Sequence, residues 1–375
     1  MTEIPRRYAR PVSCAAHLPG GWPLGAGLMR FREVSVTARG RADEVLPAEA
    51  VGIAYPELAD TMARLMAPPP GPAVPDVMAI INVTPDSFSD GGVNDAPAAA
   101  VAFARKALRC GATILDFGGE STRPGATPVA PEAEIARVVP AMQAVRAMMA
   151  AEGYAATLSI DTRNAATARA ALGAGATLLN DVSALTHDPV MAEVAPAFAR
   201  VCLMHAQGDP QTMQQHPRYD DVVLDVFDYL EGRVAAARAL GIGRERVIVD
   251  PGIGFGKTLA HNLALMAALA LFHGLGAPVL FGASRKRFIG TLAAPTGTGE
   301  KASDRAPGSI AAALMAAGEG VQILRVHDVA ETAQALAVWR AMAEVAPRTG
   351  GGAADGARHA VADATLSDAA PGGNA

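Results

Sequence analysis

The chain has 375 residues, of which 50% are hydrophobic and 18% charged, and its formal net charge is −5 at pH 7. Such a chain supports a large core, and an acidic balance without a basic cluster indicates neither a nucleic-acid nor a membrane-surface partner. The three cysteines lack metal-ligand spacing and favour a reducing, cytoplasmic location, and prolines break the N-terminus, so neither a signal peptide nor a transmembrane helix is predicted.

Residues 1–76 have the pattern of an N-terminal extension. The stretch "FREVSVTARG" (31–40) predicts a strand, "PELADTMARLM" (56–66) has helical spacing, and "APPPGPAVP" (67–75) has the composition of a stiff linker. These patterns assign no activity to the extension, and we expect it to serve packing or solubility. At the other end, residues 346–375 are rich in Gly, Ala, Asp and Ser without apolar periodicity, which predicts a disordered tail.

Residues 77–345 alternate short apolar runs with alanine-rich helical segments. The eight runs are "VMAIINVT" (77–84), "TILDFGG" (113–119), "TLSIDT" (157–162), "LLNDVS" (178–183), "VCLMHA" (201–206), "VIVDPG" (247–252), "PVLFGA" (278–283) and "QILRVHD" (322–328). Continuous apolar runs separated by helices are typical of a parallel sheet covered on both faces, so the pattern predicts a closed (β/α)8 TIM barrel of the α/β class. An open doubly wound sheet would need a nucleotide-binding fingerprint after the first strand, and "NVTPDSFSDGG" (82–92) is not one.

Nearly every run is apolar at its start and polar at its end. The polar residues at these ends are Asn82, Asp116, Asp161, Asn180, His205, Asp250, Ser284, Arg325 and His327. Each of them alone is compatible with capping of the helix that follows. Eight strand ends with the same pattern are better explained by a shared site, because the carboxyl ends of barrel strands meet at one mouth, where barrel enzymes hold their catalytic residues.

The sixth run ends in "VIVDPGIGFGKT" (247–258), which has some features of a phosphate-binding loop. A P-loop needs a glycine at position 251, where this chain has Pro251, and proline neither donates from its backbone nor adopts positive φ. We therefore interpret the motif as an acid, Asp250, followed by a tight glycine turn. Lysine occurs at four positions, Lys106, Lys257, Lys286 and Lys301. Two of them lie in "GFGK" and "SRKR", which indicates a use for a compact ammonium group there.

Eight motifs together resemble those of the dihydropteroate synthase family. They are "NVTPDSFSDGG", "GGESTRPGA", "SIDT", "NDVS", "CLMHAQGDPQTMQ", "DPGIGFGKT", "GASRK" and "RVHDV", within a resemblance that runs from Val77 to Arg340. The resemblance implies a TIM barrel that condenses 6-hydroxymethyl-7,8-dihydropterin pyrophosphate with p-aminobenzoate and releases pyrophosphate, the step of folate biosynthesis that sulfonamides block. It also implies Mg²⁺ as cofactor, a homodimer, and dissociative substitution through a pterin cation.

The resemblance further implies roles for individual residues. The pterin-binding residues are Asp161, Asn180, Val182, Met204, Asp250, Phe255, Gly282, Lys286 and Arg325. The pyrophosphate-binding residues are Asn82, Thr122, Arg123, Arg325 and His327, and Asn82 is also the expected Mg²⁺ ligand. The aminobenzoate-binding residues are Phe88, Thr122, Arg123, Pro124 and Ser284. The catalytic residues are Asp90, Lys286, Arg325 and His327, with Asp90 expected to stabilise the cation.

Two alternatives share the pterin-binding barrel. A methyltetrahydrofolate–corrinoid methyltransferase would need neither the loop "STRPGA" (121–126) nor a pair such as Arg325 and His327. A non-catalytic pterin-binding paralogue would keep the pterin residues while losing loop residues such as Asp90. The sequence leaves three residues without an assigned role: His205, Asp116 and Lys257.

Overall fold

The computed structural model describes residues 5–25, 27–68, 71–84, 96–120, 129–208 and 212–345. Its strands are β1 (Arg7–Val12), β2 (Trp22–Pro23), β3 (Arg30–Phe31), β4 (Glu33–Ala38), β5 (Glu44–Pro47), β6 (Asp76–Asn82), β7 (Ile114–Gly118), β8 (Thr157–Asp161), β9 (Leu178–Asp181), β10 (Arg200–Met204), β11 (Val247–Asp250), β12 (Leu280–Phe281) and β13 (Ile323–Val326). Its α-helices are α1 (Ala48–Ala54), α2 (Ala59–Met66), α3 (Ala96–Arg109), α4 (Pro131–Glu152), α5 (Ala165–Ala174), α6 (Met191–Val194), α7 (Val222–Ala239), α8 (Leu259–Met266), α9 (Arg287–Ala293), α10 (Ala306–Gly318) and α11 (Val329–Glu344). No helix within the described ranges is both long and apolar enough to cross a membrane.

Strands β6 to β13 form the predicted parallel barrel. Each pairs with its neighbour in chain order, β13 returns to pair with β6, and a bridge between Val249 and Val279 joins β11 to β12. Helices separate the strands, so the (β/α)8 prediction is confirmed. The seventh strand is shorter than its apolar run, since only Leu280–Phe281 has regular strand geometry.

Local sequence explains where several barrel helices begin and end. Helix α4 starts at Pro131, where a missing N–H costs nothing, and ends at Glu152, where Gly153 follows in the left-handed region and caps it. Asp221 caps α7 by accepting from two backbone N–H groups of its first turn. Thr258 and His261 form a reciprocal capping box that starts α8 immediately after the sixth strand's glycine turn.

The barrel interior is arranged in an apolar layer with a polar layer above it. The apolar layer is made by Met78, Ile114, Leu178, Cys202, Ile248, Leu280 and Ile323. Because side chains alternate along a strand, the residue two positions further on faces the same interior. From Ile114, Leu178 and Ile323, that rule leads to three polar residues of the mouth, Asp116, Asn180 and Arg325, so strand periodicity alone carries them to the site.

The extension folds as a small α/β layer of its own. Strands β1, β4 and β5 form an antiparallel sheet, and β2 pairs with β3. The strand expected within 31–40 is β4, and the helix expected within 56–66 is α2, preceded by one 3-10 turn. A separate apolar cluster fills this layer and includes Phe31, Val34 and Leu65 together with Ala270 of the barrel. The described residues up to Glu344 belong to one compact unit, and the boundary at residue 77 stays a prediction, as does the tail at 346–375, which lies outside the described residues.

Tyr8 connects the extension to the barrel. Its side chain is 2% exposed within the barrel's apolar cluster, and its ring meets Phe227 edge-on at 5.7 Å between centroids. The hydroxyl donates to the carboxylate of Asp228 on α7 at 2.9 Å. Arg39 adds two ion pairs to the same helix, with Asp225 at 2.6 Å and Asp228 at 2.9 Å. These contacts pack the extension against the barrel.

We predict that Tyr8→Ala lowers the free energy of unfolding by about 3–5 kcal/mol, since it empties an aromatic site shared by both layers. Tyr8→Phe keeps the ring and should cost about 1 kcal/mol for the lost hydrogen bond. Equilibrium denaturation by urea measures both. The control is Ile53→Ala, at a side chain that is 84% exposed. A Tyr8→Ala variant as stable as this control would contradict the described docking.

Candidate active site

An arginine between two carboxylates lies at the centre of the barrel mouth. Nε of Arg325, on the last strand, donates to Asp116 Oδ2 at 2.7 Å, and Nη2 donates to Asp161 Oδ2 at 2.6 Å. Burial acts to lower the pKa of Arg325, but the two carboxylates outweigh it and raise that pKa. The guanidinium is therefore a fixed positive charge, held by the second and third barrel strands.

Asp116 holds three neighbours at once. Besides Arg325, it accepts from the hydroxyl of Ser159 at 2.5 Å and from the side-chain amide of Asn180 at 3.1 Å. Its side chain is fully buried, so every one of these bonds is made away from water. Because the amide nitrogen of Asn180 is used by Asp116, the amide oxygen of Asn180 faces away from this carboxylate. The structure thus gives Asp116 the role of orienting two residues expected to bind pterin.

Asp161 has one oxygen without a partner. Oδ2 pairs with Arg325, whereas Oδ1 is buried and accepts no hydrogen bond from any residue the structure describes. Burial raises the pKa of Asp161 to about 7, and Arg325 opposes that rise only in part. A buried acceptor without a donor is costly, so this atom calls for a donor from outside the protein.

Asp250 ends the sixth strand and starts the glycine turn. Its Oδ1 accepts from the backbone N–H of Gly252 at 2.7 Å, which fixes the carboxylate plane. Burial raises the pKa of Asp250, while Lys286 and other nearby positive charges act against this shift. Met204 is its direct neighbour in the strand register, and Phe255 lies at the far end of the turn, so an acid is flanked by two apolar side chains.

Lys286 reaches the same turn from the seventh strand's loop. Its ammonium donates to the carbonyl of Ile253 and lies 4.6 Å from the centroid of the Phe255 ring. Burial lowers the pKa of Lys286 to about 8, and the charge of Asp250 opposes that shift. The side chain therefore brings a compact donor beside Asp250, at the edge expected to hold the pterin.

His327 and Ser284 contact each other across the last two strands. Nδ1 of His327 lies 3.0 Å from Ser284 Oγ, and the backbone N–H of His327 donates to that oxygen at 3.1 Å. Ser284 is buried. The hydroxyl expected to bind aminobenzoate thus also fixes the ring orientation of the histidine expected to bind pyrophosphate.

The remaining predicted residues fall into two groups. Asn82 ends the first strand beside Gly118 and Asp161, Gly282 packs on the Arg325 side chain, and Val182 is half-buried in the loop after β9. The others lie outside the described residues: Phe88, Asp90, Thr122, Arg123 and Pro124. The structure therefore gathers the predicted pterin residues at one mouth, and it leaves the predicted loop residues as sequence-based expectations.

Comparison with known proteins places this mouth in a family. Residues 78–327 match the family model of pterin binding enzymes. The chain is 48% identical to the dihydropteroate synthase of Neisseria meningitidis serogroup B, over 72% of this chain and 93% of that one. The Xanthomonas albilineans dihydropteroate synthase solved with 4-aminobenzoic acid is 47% identical, with a TM-score of 0.66, over 73% of this chain and 94% of that one. The Yersinia pestis dihydropteroate synthase solved with a sulfonamide drug is 38% identical, with a TM-score of 0.66, over 82% and 98%.

This chain belongs to the dihydropteroate synthase family. It is accordingly an enzyme of the transferase class. The X. albilineans synthase has also been solved with 7,8-dihydropteroate, at 44% identity to this chain. These relatives carry the synthase name, so neither the methyltransferase nor the non-catalytic paralogue is retained as an interpretation.

Several residues of this synthase site were not found from the sequence. Ser159 is one, because its contact with Asp116 depends on strand register. Arg285, which stands between Ser284 and Lys286 with a φ of 58°, is another. Its guanidinium is held by the carboxylate of Asp328 through two bonds. A left-handed arginine leaves no signal in a sequence, although "SRK" followed at a distance by "HD" would have justified looking for an ion pair.

We predict that Asp116→Asn lowers the free energy of unfolding by about 3–5 kcal/mol, because it takes a fully buried carboxylate away from the half-buried guanidinium of Arg325. The same change should release Asn180 and weaken pterin binding. Chemical denaturation and calorimetric titration measure the two effects. Glu344→Gln is the matched control, since its partner Arg340 is 57% exposed and such pairs contribute little. Equal stabilities of the two variants would show that Asp116 does not support Arg325.

Proposed function

We propose that this chain condenses 6-hydroxymethyl-7,8-dihydropterin pyrophosphate with p-aminobenzoate, releasing pyrophosphate, in the folate pathway. The observation that carries the proposal is the unpartnered Oδ1 of Asp161, buried in the mouth of a barrel of the synthase family. A pterin has a guanidine-like edge of N–H donors beside ring acceptors. Such an edge supplies the donor that Asp161 lacks and leaves no buried polar atom of the site unpaired.

The pterin ring is proposed to lie among residues of the third to eighth strands. Asp250 presents two carboxylate oxygens to adjacent donors, the oriented amide of Asn180 completes the edge, and Lys286 donates to a ring acceptor. The apolar walls are Met204, Phe255 and Val182. The matching of donors to acceptors fixes the ring's orientation, while the apolar walls contribute affinity.

The pyrophosphate is proposed to lie over the last strand. Arg325 uses Nε and Nη2 on carboxylates, and its Nη1 donates to none of the described residues, so two N–H groups are left for an anion. His327, oriented by Ser284, adds a donor two residues further along. Both residues lie where the pterin's substituent leaves the ring, and they stabilise the charge that develops on the leaving oxygen. Thr122 and Arg123 are expected to add to this set.

The residues present fit a magnesium ion shared with the substrate. Asn82 places an amide oxygen at the end of the first strand, near Asp161, and within the described ranges no group of three His, Cys, Asp or Glu side chains is placed to hold a metal ion. Mg²⁺ commonly takes one or two protein oxygens and completes its shell with water and phosphate. Asn82 would hold the ion, which neutralises charge on the pyrophosphate when bound.

The mechanism we propose is dissociative. Departure of pyrophosphate, assisted by Arg325 and His327, leaves a pterin methylene cation that Asp90 stabilises through its charge. The amine of p-aminobenzoate then attacks that carbon. Phe88, Pro124 and Ser284 are the proposed contacts for the aminobenzoate, at the subsite where a sulfonamide would compete.

A product assay tests the proposal directly. Purified protein with Mg²⁺ and both substrates should form pyrophosphate and dihydropteroate in equal amounts, and a sulfonamide should compete with p-aminobenzoate alone. Asp250→Asn should raise KM for the pterin substrate about a hundredfold, because one acceptor becomes a donor facing donors. A folded protein that binds pterin and forms neither product would overturn the proposal.

The raised pKa of Asp161 predicts proton release on pterin binding. With a folded pKa of about 7 against about 3.9 unfolded, the folded state holds a proton between these values, so this group lowers stability as pH rises from 4 to 7. A donor from the ligand favours the ionised form, so binding at pH 7 should release about half a proton. Titration calorimetry in buffers of different ionisation enthalpy measures the number. Asp161→Asn should abolish this release, and an unchanged value would assign the proton to another group.

We also propose that the synthase forms a homodimer through the outer face of α10 and α11. Met315, Val338 and Met342 are 62%, 57% and 73% exposed there, and the last two lie four residues apart on one helix face. The mass of the protein in solution, measured by sedimentation equilibrium, distinguishes a dimer from a monomer.

A cytoplasmic location stays the expectation from the cysteines, which are free thiols at Cys14, Cys110 and Cys202.

A further inference from the structure

Lys257 has no place in the chemistry described so far, although it is buried beneath the pterin site. It is 3% exposed, at the end of the glycine turn that follows β11. Its ammonium lies 2.9 Å from Nδ1 of His205 and donates to the carbonyl of Phe255 at 3.0 Å. The carbonyl of His205 lies 3.4 Å away as a third, weaker acceptor. No carboxylate lies within salt-bridge distance of this ammonium among the described residues.

The contact fixes the state of His205. Burial and the adjacent Lys257 lower the pKa of His205 to about 3, so the ring is neutral. With Nδ1 accepting from an ammonium, the ring proton is on Nε2. The ring packs edge-on against Tyr229, with centroids 4.9 Å apart. His205 therefore acts as a rigid acceptor that is held in place by α7.

The loops joined by this contact are pressed together backbone to backbone. A Cβ on Gly252 would lie 1.8 Å from the carbonyl oxygen of His205, and one on Gly256 would lie 2.4 Å from that of Gln207. Both glycines have positive φ, so a side chain is excluded by conformation as well as by space. The glycine turn thus packs directly against the backbone of the loop after the fifth strand.

We propose that Lys257 is a positioning residue for the pterin pocket, which clamps the glycine turn of 250–257 onto the loop after the fifth strand through His205. The proposal rests on the proposed function, because its consequence is the placement of Asp250 and Phe255 against the pterin. Lys257 holds the turn from below by the Phe255 carbonyl. Lys286 holds it from the mouth by the Ile253 carbonyl.

The two lysines lie at different depths and have different partners. Lys286 faces the mouth and is expected to touch the ring, so its contacts with the turn compete with its contacts with the ligand. Lys257 lies beneath the turn, and its N–H donors contact acceptors of the protein itself. A pocket whose floor is fixed before the ligand arrives loses less entropy on binding.

The test compares Lys257→Met and Lys257→Gln with Lys106→Met, an exposed lysine on α3. The positioning role acts on ground and transition states alike, so KM for the dihydropterin pyrophosphate should rise about tenfold or more with kcat within about threefold of the parent. KM for p-aminobenzoate should not change. The methionine removes all donors, whereas glutamine keeps a donor and loses the charge, so partial recovery by glutamine separates hydrogen bonding from charge.

A second pair of variants guards against loss of folding. His205→Leu removes the acceptor, and His205→Asn can place an amide oxygen near the position of Nδ1. The leucine variant should reproduce the KM effect of Lys257→Met, and the asparagine variant should recover most of it. Calorimetric binding of 7,8-dihydropteroate gives the same comparison without turnover.

The outcomes separate this proposal from the proposed function. Absence of product with the parent protein would overturn the function itself. An active parent with an unchanged pterin KM in Lys257→Met, or with equal losses for both substrates, would overturn the clamp. A loss confined to kcat would likewise reject it, because it would place Lys257 in the chemical step.

Discussion

The ion pairs of Arg325 with Asp116 and Asp161 hold the site together. They run from the last strand across the first strand to the second and third, so one guanidinium ties together three strands within a span of four. Two carboxylates on one cation leave an excess of negative charge in a dry interior, which is unfavourable unless further donors arrive. Ser159 and Asn180 supply such donors to Asp116, but Asp161 keeps one unpaired oxygen. The Asp116 side of the ion-pair cluster is therefore complete within the protein, whereas the Asp161 side needs a hydrogen-bond donor from a ligand.

Much of this site follows from strand periodicity. Residues two positions beyond the apolar layer lie in the polar layer, and the sequence alone predicted Asp161, Asn180, Asp250 and Arg325 as strand-end residues of one mouth. The register between neighbouring strands could not be predicted from the sequence. The contact of Asp116 with Ser159 depends on how β7 and β8 align, and a slip of either strand by one residue would have turned one of these two side chains to the helices. The left-handed φ of Arg285 was likewise beyond prediction, because the ion pair with Asp328 that stabilises it is formed by tertiary contact.

In the extension, the local pattern predicted individual elements but not their tertiary contacts. Its strand β4 and helix α2 were readable from local patterns, yet where they pack was not. Tyr8 stands in a stretch rich in arginine, and nothing in its neighbourhood indicates that its ring enters the barrel's apolar cluster. The acidic residues Asp225 and Asp228 of α7 are typical of an exposed helix face, and only the structure pairs them with Arg39. Local preference thus specifies elements, while docking depends on complementarity between distant segments.

In a chain with few lysines, the two at the glycine turn have a physical reason to be lysine. A guanidinium needs a planar, forked set of acceptors, as Arg325 has, whereas the turn offers single carbonyl oxygens in a confined space. Lys257 donates to the carbonyl of Phe255 and Lys286 to that of Ile253, both in the same turn. Burial lowers the pKa of both, to about 7 and about 8, and Asp250 opposes the shift in each case. Three carboxylates in the mouth, Asp116, Asp161 and Asp250, therefore face one permanent cation and two whose charge depends on staying near Asp250. A neutral pterin ring enters without upsetting that balance, and the anionic pyrophosphate is directed outward, towards His327 and the free face of Arg325.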